Sequence, residues 1–413
     1  MREVSNIVRR MVLVLLVAAI ALPGMAATVS SKGMRSPRSA RKIQENSRTQ
    51  RRLNSAAKKR PAKSATRKSG SRGRRVARRF VERFYTSSFA QSQTEGDVIA
   101  GEDPVVRAAA IEALGNMNGS VVAIDPQSGR ILAMVNQKLA LGEGAIPCST
   151  IKVPVALAAL EEGIITKDTP VSLGGNYSLN LTKALAVSNN AYFEALGRRL
   201  GFEKVAYHAR QFGLGELAGY NIEGEHLGVY PDQELSAKRG GVGRMCSFGE
   251  GVSMTPLQLG ALVSAIANGG TLYYLQHPRT AEQAAAFSPK VKRYLSIEAL
   301  IPQIQDGMRG AVEYGTARTL GYNFKEESIL GKTGTCSENG TRFGWFASYA
   351  NTSYGKIAVV VFLQGGRPTY GPKAAELAGK MYRRLYDDSF FAAKTPMPQS
   401  GHPTDAAGVG VSQ

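Results

Sequence analysis

Three short segments hold residue types that together could carry nucleophilic chemistry. In Cys148-Ser149-Thr150-Ile151-Lys152, Ser149 stands at the start of a helix expected over about 150–162 and stopped by Gly163. Lys152, three residues on, falls on the same helical face. A serine hydroxyl attacks well only when a base removes its proton. A lysine amine becomes that base when burial and neighbouring cations depress its pKa. The helix N-terminus adds backbone N–H groups for a developing oxyanion. Taken alone, the pair also fits an ordinary helix start. Ser188-Asn189-Asn190 adds a second hydroxyl, at Ser188, able to pass a proton between Lys152 and a leaving amine. Asn190 adds an amide able to bond both a lysine and a peptide group. The same tripeptide reads equally as a polar break between two helical stretches. In the third segment, Lys332-Thr333-Gly334-Thr335 follows a β-rich run, Ser328-Ile329-Leu330. Lys332, Thr333 and Thr335 suit a terminal carboxylate, and Gly334 lets a substrate backbone come close. The Thr335 amide can join that of Ser149 as the second oxyanion donor. A phosphate loop would need glycine where Glu326 stands, which excludes that reading of Gly331-Lys332-Thr333.

Bringing three distant segments together requires a folded body, expected over 104–386. Gly119 to Ile124 and Arg130 to Val135 are β-rich, and Asp125-Pro126-Gln127-Ser128-Gly129 between them is turn chemistry, a hairpin signal. Helices are expected at 180–199, 203–212, 255–268, 298–314 and 372–386, and strands at 328–335, 341–349 and 356–364. Strands at both ends with helices between them predict an α+β layer structure, with the chain ends completing one antiparallel sheet.

The net charge of +20 over 413 residues suggests a polyanion partner until it is located. Lys32 to Arg83 holds 20 Lys or Arg against Glu45 and Glu82, a balance of +18, and residues 1–31 add +2, so the rest of the chain is near neutral. The charge belongs to a tether, and a nucleic-acid-binding domain loses its support. Residues 28–103 read as a disordered basic linker, poor in large apolar side chains and able to attract an anionic membrane or wall surface. Residues 387–413 read as a disordered tail. Arg9 and Arg10 precede the apolar run Met11 to Leu22, and Pro23 to Ala27 follows, so 1–27 reads as an export signal, cleaved or retained as an anchor. That predicts an extracytoplasmic place, in the periplasm or on the outer face of the cytoplasmic membrane. The four histidines show no ligand spacing, and no metal or organic cofactor is expected.

SxxK, SxN and KTG in this order resemble the signature of active-site serine penicillin-recognising enzymes. The resemblance extends to Val121-Val122-Ala123-Ile124-Asp125, Gly249-Glu250-Gly251, Thr255-Pro256-Leu257-Gln258, Ala267-Asn268-Gly269-Gly270, Gly315-Thr316-Ala317 and Trp345-Phe346, over about 119–386. The step of 39 positions from Ser149 to Ser188 is shorter than usual for the large transpeptidases of that family. The resemblance implies a penicillin-binding/β-lactamase-like fold, with helices on both faces of an antiparallel sheet and a helical subdomain. It implies a D,D-transpeptidase or carboxypeptidase acting on D-Ala-D-Ala stem peptides of peptidoglycan and acylated by β-lactams. Ser149 would be the nucleophile, Lys152 its base and Ser188 the proton relay, with Asn190, Lys332, Thr333, Gly334 and Thr335 binding substrate. A serine β-lactamase and a non-catalytic sensor or scaffold are the alternatives. Cys148 precedes one oxyanion donor and Cys336 follows the other. In some class A carbapenemases, which resemble this chain through the same motifs, a disulfide joins the corresponding positions. The resemblance therefore implies a Cys148–Cys336 bridge with Cys246 free; two buried thiols are the alternative.

Overall fold

The computed structural model describes residues 83–352 and 355–391. Its centre is a five-stranded antiparallel sheet built from β1 (Gly119–Asp125), β2 (Arg130–Val135), β3 (Ile329–Glu338), β4 (Thr341–Thr352) and β5 (Gly355–Gly365). The spatial order is β2-β1-β5-β4-β3, so the two ends of the domain meet where β1 pairs with β5. The β1–β2 turn closes on Asp125, whose carboxylate accepts from the Gln127 N–H at 3.0 Å and the Ser128 hydroxyl at 2.7 Å. Gly129 completes it at φ +74°, a conformation that glycine reaches without strain.

Period-two alternation divides the sheet's side chains between two cores. Val121 and Ala123 face α1 (Pro104–Leu114) and the C-terminal helix Gly371–Asp387, whereas Val122 and Ile124 face the helical part of the domain. That part contains α2 (Lys152–Glu161), α3 (Leu181–Ala186), α4 (Asn190–Leu200), α5 (Phe202–Gln211), α6 (Gly241–Phe248), α7 (Pro256–Asn268) and α8 (Ile301–Glu313); the C-terminal helix is α9. Helix α7 is buried from Pro256 to Ala267. Its start is held by a reciprocal cap: Gln258 N–H donates to Thr255 Oγ1 at 3.1 Å and Thr255 N–H to Gln258 Oε1 at 3.0 Å. A Cβ on Gly260 would lie 2.5 Å from Ile124 Cδ1, so glycine there lets α7 approach β1.

Three expectations are corrected. The helix expected over 180–199 is two helices, α3 and α4. Ser188 takes φ +57°, which no helix continues through, and Asn189 caps α4 by accepting from the Tyr192 N–H at 2.9 Å. The linker expected over 28–103 is folded from Arg83 onward. Phe89 bridges to Met117, Tyr85 N–H donates to Gly340 O at 2.9 Å, and Asp97 and Glu102 bind Arg107. The tail expected from 387 is packed at its start: α9 runs to Asp387, and Phe390 and Phe391 are buried. In each case a few residues satisfy specific buried partners, which average composition does not register. The expected signal or anchor, the rest of the linker at 28–82 and the tail from 392 lie outside the described residues. Among the described residues no helix is long and apolar enough to cross a membrane.

Candidate active site

Cys148–Ile151 forms a 3-10 turn that runs straight into α2. Thr150 fixes the turn, donating from Oγ1 to Pro147 O at 2.7 Å. Lys152 opens α2 fully buried, its Nζ 2.6 Å from Ser149 Oγ, 3.3 Å from Ser188 Oγ and 2.7 Å from Asn190 Oδ1. The α3–α4 break, with Ser188 in the left-handed region, presents Ser188 and Asn190 to the lysine together. Lys332 on β3 is also fully buried; its Nζ lies 2.9 Å from Ser188 Oγ and 2.9 Å from Thr333 O. Ser188 therefore sits between two lysines.

The electrostatics are unusual, because among the described residues neither lysine forms an ion pair with a carboxylate. Burial, followed by the charge of Lys332, holds the Lys152 amine well below the ordinary lysine range; Glu194 acts in the opposite direction. Burial also pushes Lys332 down to about 7. The rings of Phe193 and Phe248, with centroids 5.8 and 6.0 Å from Lys152 Nζ, form an apolar wall beside the amine. A neutral amine against a serine hydroxyl is an arrangement able to take a proton.

Thr333 is buried, its hydroxyl 2.6 Å from that of Thr316, while Thr335 is exposed and its hydroxyl accepts from the Gly371 N–H at 2.8 Å. β3 is an edge strand, which offers backbone groups to an extended peptide. Gly334 serves the packing of the site: a Cβ there would meet Pro147 O at 2.8 Å and Cys148 Cβ at 3.2 Å, so glycine lets β3 seat against the Ser149 turn. The same seam carries a Cys148–Cys336 disulfide, with Cα atoms 5.5 Å apart, while Cys246 is free and buried. Trp345 closes the seam by donating from Nε1 to Ile146 O at 3.0 Å. All ten residues singled out in the sequence thus converge on one place. Thr316 and Gly371 join them unanticipated as site residues; the Gly315-Thr316-Ala317 tripeptide was the signal that could have found the first. Among the described residues no cluster of three or more His, Cys, Asp or Glu side chains is arranged to hold a metal ion.

A five-stranded sheet between helical layers, with its edge strand seated against a serine-lysine helix start, defines the penicillin-recognising fold class. Within that class, the chain belongs to the penicillin binding protein transpeptidase domain family, whose model matches residues 119–384. It is similar to the peptidoglycan D,D-transpeptidase MrdA of Acinetobacter baumannii, with 26% identity over 361 residues, covering 69% of this chain and 53% of that protein. Stage V sporulation protein D of Bacillus subtilis is 29% identical over 262 residues, covering 52% of this chain and 39% of the relative. The chain thus spans about half or less of the length of these curated relatives. Among solved structures, Pseudomonas aeruginosa PBP2 in complex with WCK 5153 shares the fold at a TM-score of 0.58 and 24% identity, covering 70% of this chain and 75% of that one.

Proposed function

We propose that the domain is a serine D,D-transpeptidase that acts outside the cytoplasmic membrane on peptidoglycan stem peptides ending in D-Ala-D-Ala. The observation that carries the reading is the buried Lys152 amine, 2.6 Å from Ser149 Oγ and without a carboxylate partner among the described residues. In this reaction Ser149 Oγ attacks the carbonyl carbon of the penultimate D-alanine while Lys152 takes the hydroxyl proton. The amides of Ser149 and Thr335 face the oxyanion. Collapse breaks the peptide bond, and Ser188 passes the proton from Lys152 to the departing D-alanine amine. The resulting ester is then attacked by an amine of a second stem peptide, which restores the serine hydroxyl. The terminal carboxylate favours the charged form of the Lys332 amine as it docks, and Lys332 then holds it together with Thr333 and Thr335, while Asn190 orients the peptide amide. A β-lactam carbonyl enters the same path and leaves Ser149 acylated. The basic stretch before residue 83 gives the protein an attraction for anionic membrane or wall surfaces.

Labelling with fluorescent penicillin tests the assignment. Ser149→Ala is expected to abolish covalent labelling of a protein that still folds. Labelling of that variant at the wild-type rate would remove Ser149 as the nucleophile.

A further inference from the structure

Beside the serine-lysine pair lies a recess of about 480 Å³ lined by Glu194, Arg198, Lys238, Arg239, Arg244 and Glu250. Its position is fixed by one ring. The Arg244 guanidinium stacks 3.8 Å from the centroid of Phe248, and the Lys152 amine lies 6.0 Å from the same centroid. Glu194, on the recess wall, acts electrostatically on Lys152. The recess is thus the next space along from the site where a substrate would be acylated.

Its charges do not balance. Glu250 is shared between Arg239 at 3.1 Å and Arg244 at 2.9 Å, Glu194 bonds Arg198 at 3.3 Å, and Lys238 forms no ion pair among the described residues. Four cations face two carboxylates. The arginines are 42–59% exposed, so they keep water and can turn toward a ligand without abandoning a buried partner. The space lined by Thr316 has another character, with Val187, Tyr314, Tyr322 and Tyr370 around it and Arg318 as its cation.

We propose that the basic recess binds a second carboxylate of the stem peptide, so that the protein prefers donors carrying it free over amidated donors. This rests on the reading of the site as a stem-peptide transpeptidase. The C-terminal carboxylate is already assigned to Lys332. Two others are available on such peptides: the α-carboxylate of a γ-linked glutamate and the side-chain carboxylate of a diaminodicarboxylic acid. Exposed pairs of this kind are weak and are screened by salt, so each pair made favours the acid over its amide by about 1.4-fold to fivefold at low ionic strength.

The experiment uses the full chain and four pentapeptides, amidated at neither, either or both of these carboxylates. It measures the concentration of each that halves labelling by fluorescent penicillin. The free acid at one of the two positions is expected to protect at a lower concentration than its amide, and the pair of single amides identifies which position. The advantage shrinks as salt rises. In the double variant Lys238→Ala, Arg198→Ala, the acid-to-amide ratio should fall toward one. Equal protection by all four peptides, or a double variant that keeps the full preference, overturns the proposal. Labelling of wild-type protein without peptide tests the site itself. Its absence would sink the underlying transpeptidase reading, whereas normal labelling with equal protection sinks the recess alone.

Discussion

Arg107 and Lys152 are both basic side chains buried in one domain, and their surroundings differ in kind. Arg107 meets Asp97 and Glu102, each at 2.8 Å, and Met134 O at 3.3 Å. Those carboxylates are themselves saturated: Asp97 accepts from the Asn136 and Gln137 amides, and Glu102 from the Met134 amide, with His277 Nε2 at 3.0 Å. Burial pulls the guanidinium down, but the bonds to Asp97 and Glu102 outweigh it and hold Arg107 above its ordinary value. Lys152 has hydroxyls, an amide oxygen, aromatic rings and a second lysine, and burial drives it the other way. The first arrangement is what a buried charge requires for stability; the second withholds it. Withholding carboxylates from a buried lysine makes sense where an uncharged amine is needed, which is why the second cluster, and not the first, is where chemistry is assigned.

Substitution by an unbranched apolar residue should split the two clusters. Arg107→Met leaves Asp97 and Glu102 buried without their cation and should cost about 3–5 kcal/mol, read by denaturant unfolding. Penicillin labelling of the folded fraction should persist. A loss within experimental error of zero would mean that the cluster is solvated and that the contrast is false. Lys152→Met should do the reverse. Labelling should slow by about 10²-fold or more, the scale of a lost general base, while the unfolding midpoint stays level or rises, because a buried amine with no carboxylate partner among the described residues is replaced by an apolar side chain. Wild-type labelling kinetics in that variant would assign the base elsewhere.

The two clusters were not equally legible in the sequence. Ser149 and Lys152 are three residues apart, Ser188 and Asn190 two, and Lys332 to Thr335 contiguous, so each part of the site is local and only their meeting is tertiary. The hairpin and the three C-terminal strands were equally readable, since alternation and turn residues are local signals. Asp97 and Glu102 were hidden because they adjoin a strongly basic run and were averaged into it, although each makes specific buried contacts. Gly334 was read as room for a substrate, yet Pro147 and Cys148 occupy the space a side chain would need. The basic recess draws its residues from α4, the Ala237–Arg239 turn, α6 and Glu250, and no spacing rule connects them.

The smallest effect, and the most direct measure of the contrast, is a slope of stability against pH. Burial pushes Lys332 down to about 7 from an unfolded value of 10.5, and Lys152 moves in the same direction. Between these limits the unfolded chain binds more protons than the folded one, so stability increases as pH rises above 7. Each lysine contributes at most about 1.4 kcal/mol per pH unit. An opposing contribution enters higher up. Burial raises the Cys246 thiol to about 12 from 9.0, so the unfolded state begins to lose that proton first, and stability starts to fall on its account. The clean window is therefore about pH 7 to 8.5. Urea unfolding across it should give a rising free energy in the wild-type protein and a shallower rise in Lys332→Met. Arg107, held above its ordinary value, keeps its charge across this window, so Arg107→Met should lie lower but parallel to wild type. A flat wild-type profile would mean that both lysines stay protonated in the folded state, and Lys152 could then not serve as the base near neutral pH.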